Sequence, residues 1–207
     1  MSKITAIEIQ KNNQERCNLY LDGKFFAGVS METVIKNHLK VGMELDSNDL
    51  GQIIFVSEKE KALSRALDYI SKALKTKKQV KDYLIKKEYT EEVINYILEK
   101  LVEYRLVDDV EYSKRYIEST CKKQGKKLIE YKLISKGVRK QDIALAYERV
   151  ETMSDDEDAV YALALKHIKN KERTRENYAK TYKYLVGKGF LFEEIDRAIS
   201  KLKESEE

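Results

Sequence analysis

The stretch that decides the fold is residues 83–89, YLIKKEY, which recurs as residues 132–138, KLISKGV, and as residues 184–190, YLVGKGF. The phase extends beyond these segments, because an isoleucine stands ten residues after each leucine. These isoleucines are Ile94, Ile143 and Ile195. A segment that recurs about every 50 residues indicates a helical repeat protein.

Each copy carries three amphipathic segments: one before the quoted stretch, one that ends with it, and one after it. The chain has no proline and only 8 glycines, so little in the long segments would interrupt a helix. We therefore predict a mostly α fold in which three tandem three-helix repeats, residues 58–105, 106–152 and 153–207, stack into an elongated curved array.

A glycine ends the second helix in two of the three copies, at Gly137 and Gly189. Glycine is common there because the residue after the last helical turn often takes the left-handed conformation. The first copy has Glu88 instead, so the geometry of the turn that follows its second helix stays open. We call this turn the corner of the repeat.

Residues 1–57 have a different pattern. Apolar and polar residues alternate from Lys3 to Gln10 and again from Cys17 to Leu21, and Asp22-Gly23 is a typical hairpin turn before a strand at 24–29. We predict a small β-meander, a helix after Ser30, and a further helix from about residue 46 that runs on into the first repeat. The module is either a structural addition or a docking surface.

Cations cluster at the same place in each repeat, from the end of the first helix through the second. We name as basic turns residues 75–78, 122–127 and 171–175, and the candidate binding residues are Lys75, Lys77, Lys78, Lys81, Lys122, Lys123, Lys126, Lys127, Arg173 and Arg175. One such turn is typical of a solvated helix end with cations near its C-terminus. Recurrence in all three copies favours a surface for a polyanion such as nucleic acid.

The third helices and the segments after them are acidic, so the small net charge of +4 hides a charge separation. These acids are Glu99, Glu103, Asp108, Asp109, Glu111, Glu151, Asp155, Asp156, Glu157 and Asp158. A second, acidic side suits a basic partner surface, with Asp108 and Asp109 as contact candidates. Five tyrosines among the cations are available for stacking on bases, although their helical spacing favours core packing: Tyr83, Tyr131, Tyr178, Tyr182 and Tyr184.

No pattern typical of an enzyme stands out. The chain has no phosphate-binding GxxxxGK[ST] loop, and its two histidines, His38 and His167, lie in unrelated segments. We predict no cofactor, no metal site and two buried thiols, Cys17 and Cys121. A metal-dependent nuclease built on Asp108 and Asp109 stays an alternative, although adjacent acids at a helix start more often serve its N-terminus.

The order of these segments resembles the RecX family of bacterial recombination regulators. The resemblance covers residues 60–202 and is carried by ALDYI at 66–70, VKDYL at 80–84, LVDDVEY at 106–112, and the quoted segments at 132–138 and 184–190. The first basic turn departs from the family, since it has lysine where members often have arginine and serine.

The resemblance implies a protein that lies in the groove of the RecA filament on DNA and inhibits its ATPase, recombinase and coprotease activities in DNA repair. From the family and the composition we expect a cytoplasmic, non-enzymatic monomer with no membrane span, whose partners are the filament and single- or double-stranded DNA. The alternative is a free-standing helical-repeat protein that binds nucleic acid.

Overall fold

A computed structural model describes the backbone of residues 1–150 and 156–205 and the side chains of residues 1–150 and 159–205. The chain divides into two compact units, Met1–Asp108 and Asp109–Glu207. The predicted repeat boundary after residue 152, and the acids Glu151 and Asp155, lie outside the described residues.

The first unit begins with an antiparallel sheet. Its strands are β1 (Ser2–Gln10), β2 (Asn13–Leu21), β3 (Lys24–Ser30) and β4 (Glu44–Leu45), in the order β3-β2-β1-β4. Asp22 and Gly23 both have positive φ, at 50° and 79°, which confirms the predicted hairpin turn. The short β4, which pairs with the first residues of β1, had no signal in the alternation pattern.

Two helices follow the sheet. Helix α1 (Met31–Lys36) is capped by the Ser30 hydroxyl, and α2 (Ser47–Ser71) is capped by Asp46. Helix α2 runs without a break through position 57, so the N-terminal module and the first repeat share one helix. The proposed division after residue 57 stays a prediction.

Helix α2 packs against α3 (Lys77–Lys86) and α4 (Glu91–Glu103), and their apolar faces form one core. In the second unit, α5 (Asp109–Thr120), α6 (Lys126–Ser135) and α7 (Lys140–Glu148) enclose another core, and α8 (Asp156–Ile168), α9 (Arg175–Gly187) and α10 (Phe192–Glu204) a third. The anchoring leucine of each repeat, which is Leu84, Leu133 or Leu185, is fully buried, as its place at the centre of the repeat requires. The mostly α, three-helix-repeat fold is confirmed.

The corner after the second helix closes in the same way in all three repeats. Residues Glu88, Gly137 and Gly189 have φ of 61°, 85° and 85°, and the amide after each donates to the carbonyl of the anchoring leucine. Glu88 therefore accepts the left-handed conformation that glycine takes elsewhere. Its corner packs against the sheet, where a Cβ on Gly28 would lie 3.2 Å from the Glu88 Cβ.

The corner of the third repeat contacts the start of α6. The Gly125 amide donates to the Lys188 carbonyl at 2.9 Å, and the Lys127 amide donates to the Gly189 carbonyl at 3.2 Å. A Cβ on Gly125 would lie 2.3 Å from the Phe190 nitrogen, and a Cβ on Gly189 would lie 2.4 Å from the Leu128 Cβ. Two glycines thus allow the second and third repeats to meet backbone to backbone.

A buried ion pair ties the sheet to α2. Arg16 and Glu58 have 3% and 1% of their surface exposed, and Arg16 Nη1 lies 3.1 Å from Glu58 Oε2. Glu58 also accepts hydrogen bonds from the Ser30 amide at 2.9 Å and the Thr33 hydroxyl at 2.7 Å. The second guanidinium nitrogen of Arg16 donates to the Gly28 carbonyl at 2.7 Å. This pair of charges is almost fully satisfied by hydrogen bonds.

The thiols differ in exposure. Cys17 is buried as predicted, but Cys121 is only partly buried, because it follows the last residue of α5 and packs at the edge of the second-repeat core. No helix among the described residues is long and apolar enough to cross a membrane.

Candidate nucleic-acid interface

The first basic turn connects α2 to α3. Lys75 lies in the connection, Lys77 and Lys78 begin α3, and Lys81 follows one turn later. Two of these cations already have acidic neighbours, because Lys78 lies 3.4 Å from Asp82 and Lys81 lies 4.0 Å from Glu91. Exposed pairs of this kind contribute little to stability, so an incoming anion can compete for both lysines.

The second basic turn carries four exposed lysines. Lys122 and Lys123 are exposed in the connection, and Lys126 and Lys127 are exposed in the first turn of α6. The Lys126 and Lys127 ammonium groups lie 4.9 Å and 5.0 Å from the ring centres of Tyr147 and Phe192. Among the described residues, no acidic side chain forms an ion pair with any of these four lysines.

The third basic turn connects α8 to α9. Arg173 donates to the Leu202 carbonyl at 3.2 Å, so part of its role is to hold α10, whereas Arg175 is exposed at the start of α9. The Lys171 ammonium lies 3.2 Å from Nε2 of His167. Burial, helped by the Lys171 charge, lowers the pKa of His167, and the ring is therefore neutral at neutral pH.

The position of these cations on their helices is unfavourable for the helices themselves. Lys77, Lys78, Lys126, Lys127 and Arg175 stand at helix N-termini, where the helix dipole favours anions, and α3 and α6 have no acid in the first turn. These five cations therefore cannot be explained as charges that favour a helix C-terminus. A bound polyanion would relieve this local repulsion.

Side chains, rather than backbone amides, must hold an anion at the second turn. The Gly125 and Lys127 amides at the start of α6 already donate to the carbonyls of Lys188 and Gly189. A helix start that is closed by its neighbour in this way is not available as a phosphate cradle. The long lysine side chains reach beyond this junction into solvent.

Asp108 and Asp109 differ in environment. Asp108 is exposed, but Asp109 is 5% exposed, and its carbonyl accepts a hydrogen bond from the Ser113 hydroxyl at 2.7 Å. Asp142 and, more weakly, the Asp109 charge raise the pKa of Arg139. Asp109 therefore belongs to the internal structure of the second repeat. The described residues contain no group of three or more metal-ligating side chains.

The tyrosines near the basic turns mostly pack inward, as their spacing predicted. Tyr178 is buried, and Tyr83, Tyr182 and Tyr184 pack partly against the cores. Tyr131 is different, with 70% of its surface exposed on α6.

Two aromatic residues that the sequence reasoning missed stack on two of these tyrosines. They are Tyr69, on Tyr83, and His167, on Tyr184. The available signal was an aromatic residue directly before the aligned isoleucine of each first helix.

Two family models match this chain. The regulatory protein RecX N-terminal domain matches residues 2–46, and the first three-helix domain of RecX matches residues 62–101. The regulatory protein RecX of Clostridium beijerinckii is 35% identical over 98% of this chain and 96% of that protein. The regulatory protein RecX of Clostridium tetani is 33% identical over 98% and 95%.

Solved structures agree with these matches. A crystal structure of a regulatory protein RecX aligns with a TM-score of 0.64 and 30% identity, and it covers 95% of this chain and 98% of that chain. The crystal structure of RecX from Lactobacillus salivarius aligns with a TM-score of 0.66 and 27% identity over 72% and 98%. The similarity therefore extends through both units.

Proposed function

Since this chain belongs to the RecX family of regulatory proteins, we propose that it modulates the RecA recombinase filament on DNA, mainly by inhibition. In this proposal it lowers the ATPase, recombinase and coprotease activities of the filament in the cytoplasm, as a monomer and without an enzymatic activity of its own. The family name supports RecA as partner. The observation that supports the DNA contact is the set of exposed cations at the second-helix starts of three repeats.

The charges support one contact surface for DNA and another for the recombinase. The basic turns suit the phosphates of the DNA, and the second turn supplies four lysines that need not leave an ion pair to bind them. The exposed Asp108, at the end of the first unit, is a candidate contact for a basic surface of the recombinase. The buried Asp109 supports that segment rather than offering a contact.

The first prediction concerns ATP hydrolysis. We expect purified protein to slow DNA-dependent ATP hydrolysis by RecA at ratios well below one protein per RecA binding site, because a groove-bound protein bridges several protomers. Steady-state hydrolysis on single-stranded DNA measures this. Salt-dependent DNA binding with no inhibition at any ratio would instead favour the free-standing nucleic-acid binder.

The second prediction concerns the second basic turn. Replacing Lys122, Lys123, Lys126 and Lys127 by glutamate is expected to lower DNA affinity at least tenfold and to reduce the slope of log affinity against log salt by roughly 0.7 per lost phosphate contact on single strands. The fold should persist, because acids are favoured at the start of α6. Fluorescence anisotropy with labelled DNA measures both quantities.

A matched control replaces four exposed lysines outside the basic turns. Lys11, Lys24, Lys36 and Lys40 are exposed in the N-terminal module, and their replacement by glutamate alters the net charge equally. We expect the control to retain most of the affinity and of the inhibition. Equal losses in both variants would mean that net charge alone drives binding and that the basic turns have no special role.

A further inference from the structure

Two pairs of aromatic rings stack face to face in the first and third repeats. Tyr69 lies on Tyr83 with ring centres 4.2 Å apart and planes 2° apart, and His167 lies on Tyr184 at 4.4 Å and 10°. The other ring pairs of the described residues are at least 5.4 Å apart. These two stacks are therefore the closest ring contacts in the described part of the chain.

The stacks occupy the same place in their repeats. Tyr69 and His167 stand near the end of the first helix, and Tyr83 and Tyr184 stand directly before the anchoring leucine of the second helix. The two helices that carry each stack are the ones that a basic turn connects. Each stack thus lies beside cations that suit a phosphate backbone.

Lysines cover the rings of both stacks. The Lys75 ammonium lies 4.8 Å from the ring centre of Tyr69, and the Lys87 ammonium lies 5.7 Å from that of Tyr83. In the third repeat, the Lys188 ammonium lies 5.3 Å from the Tyr184 ring centre. All three lysines are at least partly exposed, and their side chains can therefore move aside.

A nucleobase is a better partner for these rings than an exposed ammonium group. Stacking of a base on an aromatic ring contributes more to binding than a cation–π contact at a solvated site. A base that displaces one of the lysines also frees its charge for the neighbouring phosphate of the same strand. The exchange therefore suits a ligand that carries bases and phosphates together.

We propose that the Tyr69–Tyr83 and His167–Tyr184 stacks are base-binding sites for single-stranded nucleic acid. Each takes an unpaired base on an outer ring face while the adjacent basic turn holds the backbone. The inference rests on the proposed function, because it takes the basic turns as the nucleic-acid interface. In duplex DNA the bases are stacked on each other, so only single strands can use these sites.

The second repeat contains a natural contrast. Tyr116 has the position of Tyr69, but Lys132 has the position of the second ring and donates to the Gln124 side chain at 2.8 Å. In this repeat the basic turn is therefore expected to hold phosphates without a base at the place that the stacks occupy in the other two repeats.

A tryptophan reporter tests the proposal directly. The chain contains no tryptophan, so Tyr83→Trp places a single indole in the first stack. The full-length variant is titrated at low salt with oligo(dT), with an abasic oligonucleotide of the same length, and with duplex DNA. We expect strong quenching of the indole emission by oligo(dT) and little by the other two. Equal quenching by oligo(dT) and the abasic chain overturns the proposal.

Affinity gives the second measurement. Tyr69→Leu combined with Tyr184→Leu removes one ring from each stack and is expected to weaken oligo(dT) binding about tenfold or more, with abasic binding nearly unchanged. Tyr104→Leu is the control, because Tyr104 is exposed under the Lys100 ammonium, 5.8 Å away, but no described ring stacks on it. It should leave both affinities unchanged.

The outcomes separate the two proposals. If oligo(dT) and the abasic chain bind the unmodified protein equally well, the stacks have no role but the basic turns keep theirs. If the stack variant and the control weaken binding alike, the loss is not specific to the stacks and the proposal fails. If no nucleic acid binds even at low salt, the DNA contact in the proposed function fails as well.

Discussion

Gly189→Ala is expected to destabilise the second unit by about 2–5 kcal/mol. Alanine resists the φ of +85° that residue 189 adopts, which costs about 1–2 kcal/mol. The new Cβ would also lie 2.4 Å from the Leu128 Cβ and 2.5 Å from the Leu128 amide nitrogen, and relief of such overpacking typically costs about 1–3 kcal/mol. Urea denaturation followed by circular dichroism measures the loss.

Alanine substitutions at three further glycines separate the backbone cost from the crowding cost. Gly42 has φ of +90° and open space where an alanine Cβ would lie, so Gly42→Ala reports the backbone cost alone. Gly125→Ala reports crowding alone, because Gly125 has a φ of −76° and its Cβ would lie 2.3 Å from the Phe190 nitrogen. Gly187 has neither problem, and Gly187→Ala should be neutral or stabilise α9 by up to about 1 kcal/mol.

The result bears on how the repeats are joined. If Gly125→Ala and Gly189→Ala both lower stability far more than Gly42→Ala, the contact between the α6 start and the third-repeat corner holds the second unit together. A Gly189→Ala protein with an unchanged unfolding midpoint would contradict this close approach.

The repeat architecture was predictable because it depends on local signals that recur. Leu84, Leu133 and Leu185 share one phase with the isoleucines ten residues later, and the burial of each leucine follows from that pattern. The Asp22-Gly23 turn was equally predictable, because few other residue pairs accept two positive φ values.

The joints between modules were not predictable, since they depend on residues far apart in the chain. Gly125 and Gly189 each had a local explanation, as a helix start and a helix end, and nothing in the sequence indicated that they meet. Glu58 lies among charged residues on α2, and its burial follows only from Arg16, which is 42 positions away. The basic turns were visible in composition, but their positions at helix N-termini and the Tyr69 and His167 stacks required the packed helices.

Glu58→Gln is expected to destabilise the first unit by about 3–5 kcal/mol at neutral pH, the usual loss when one member of a buried ion pair is removed. Glutamine nearly preserves the shape of the side chain but leaves the buried Arg16 without a counter-charge. Glu32→Gln is the control, because Glu32 pairs with Lys61 at the solvent-exposed surface, where loss of an ion pair changes stability far less than at a buried site.

The pH dependence of the stability difference between wild type and Glu58→Gln shows whether the charge of Glu58 causes it. Burial acts to raise the pKa of Glu58, but the Ser30 amide, the Thr33 hydroxyl and the Arg16 charge outweigh it and hold the pKa below its ordinary value of 4.5. A carboxyl whose pKa is lowered on folding stabilises fully above its unfolded pKa and loses that contribution as pH falls through its folded pKa. The gap between wild type and Glu58→Gln should therefore be constant above about pH 5 and shrink below about pH 4.5. A gap that does not change down to about pH 3 would show that packing, rather than charge, makes Glu58 important to the joint between the sheet and α2.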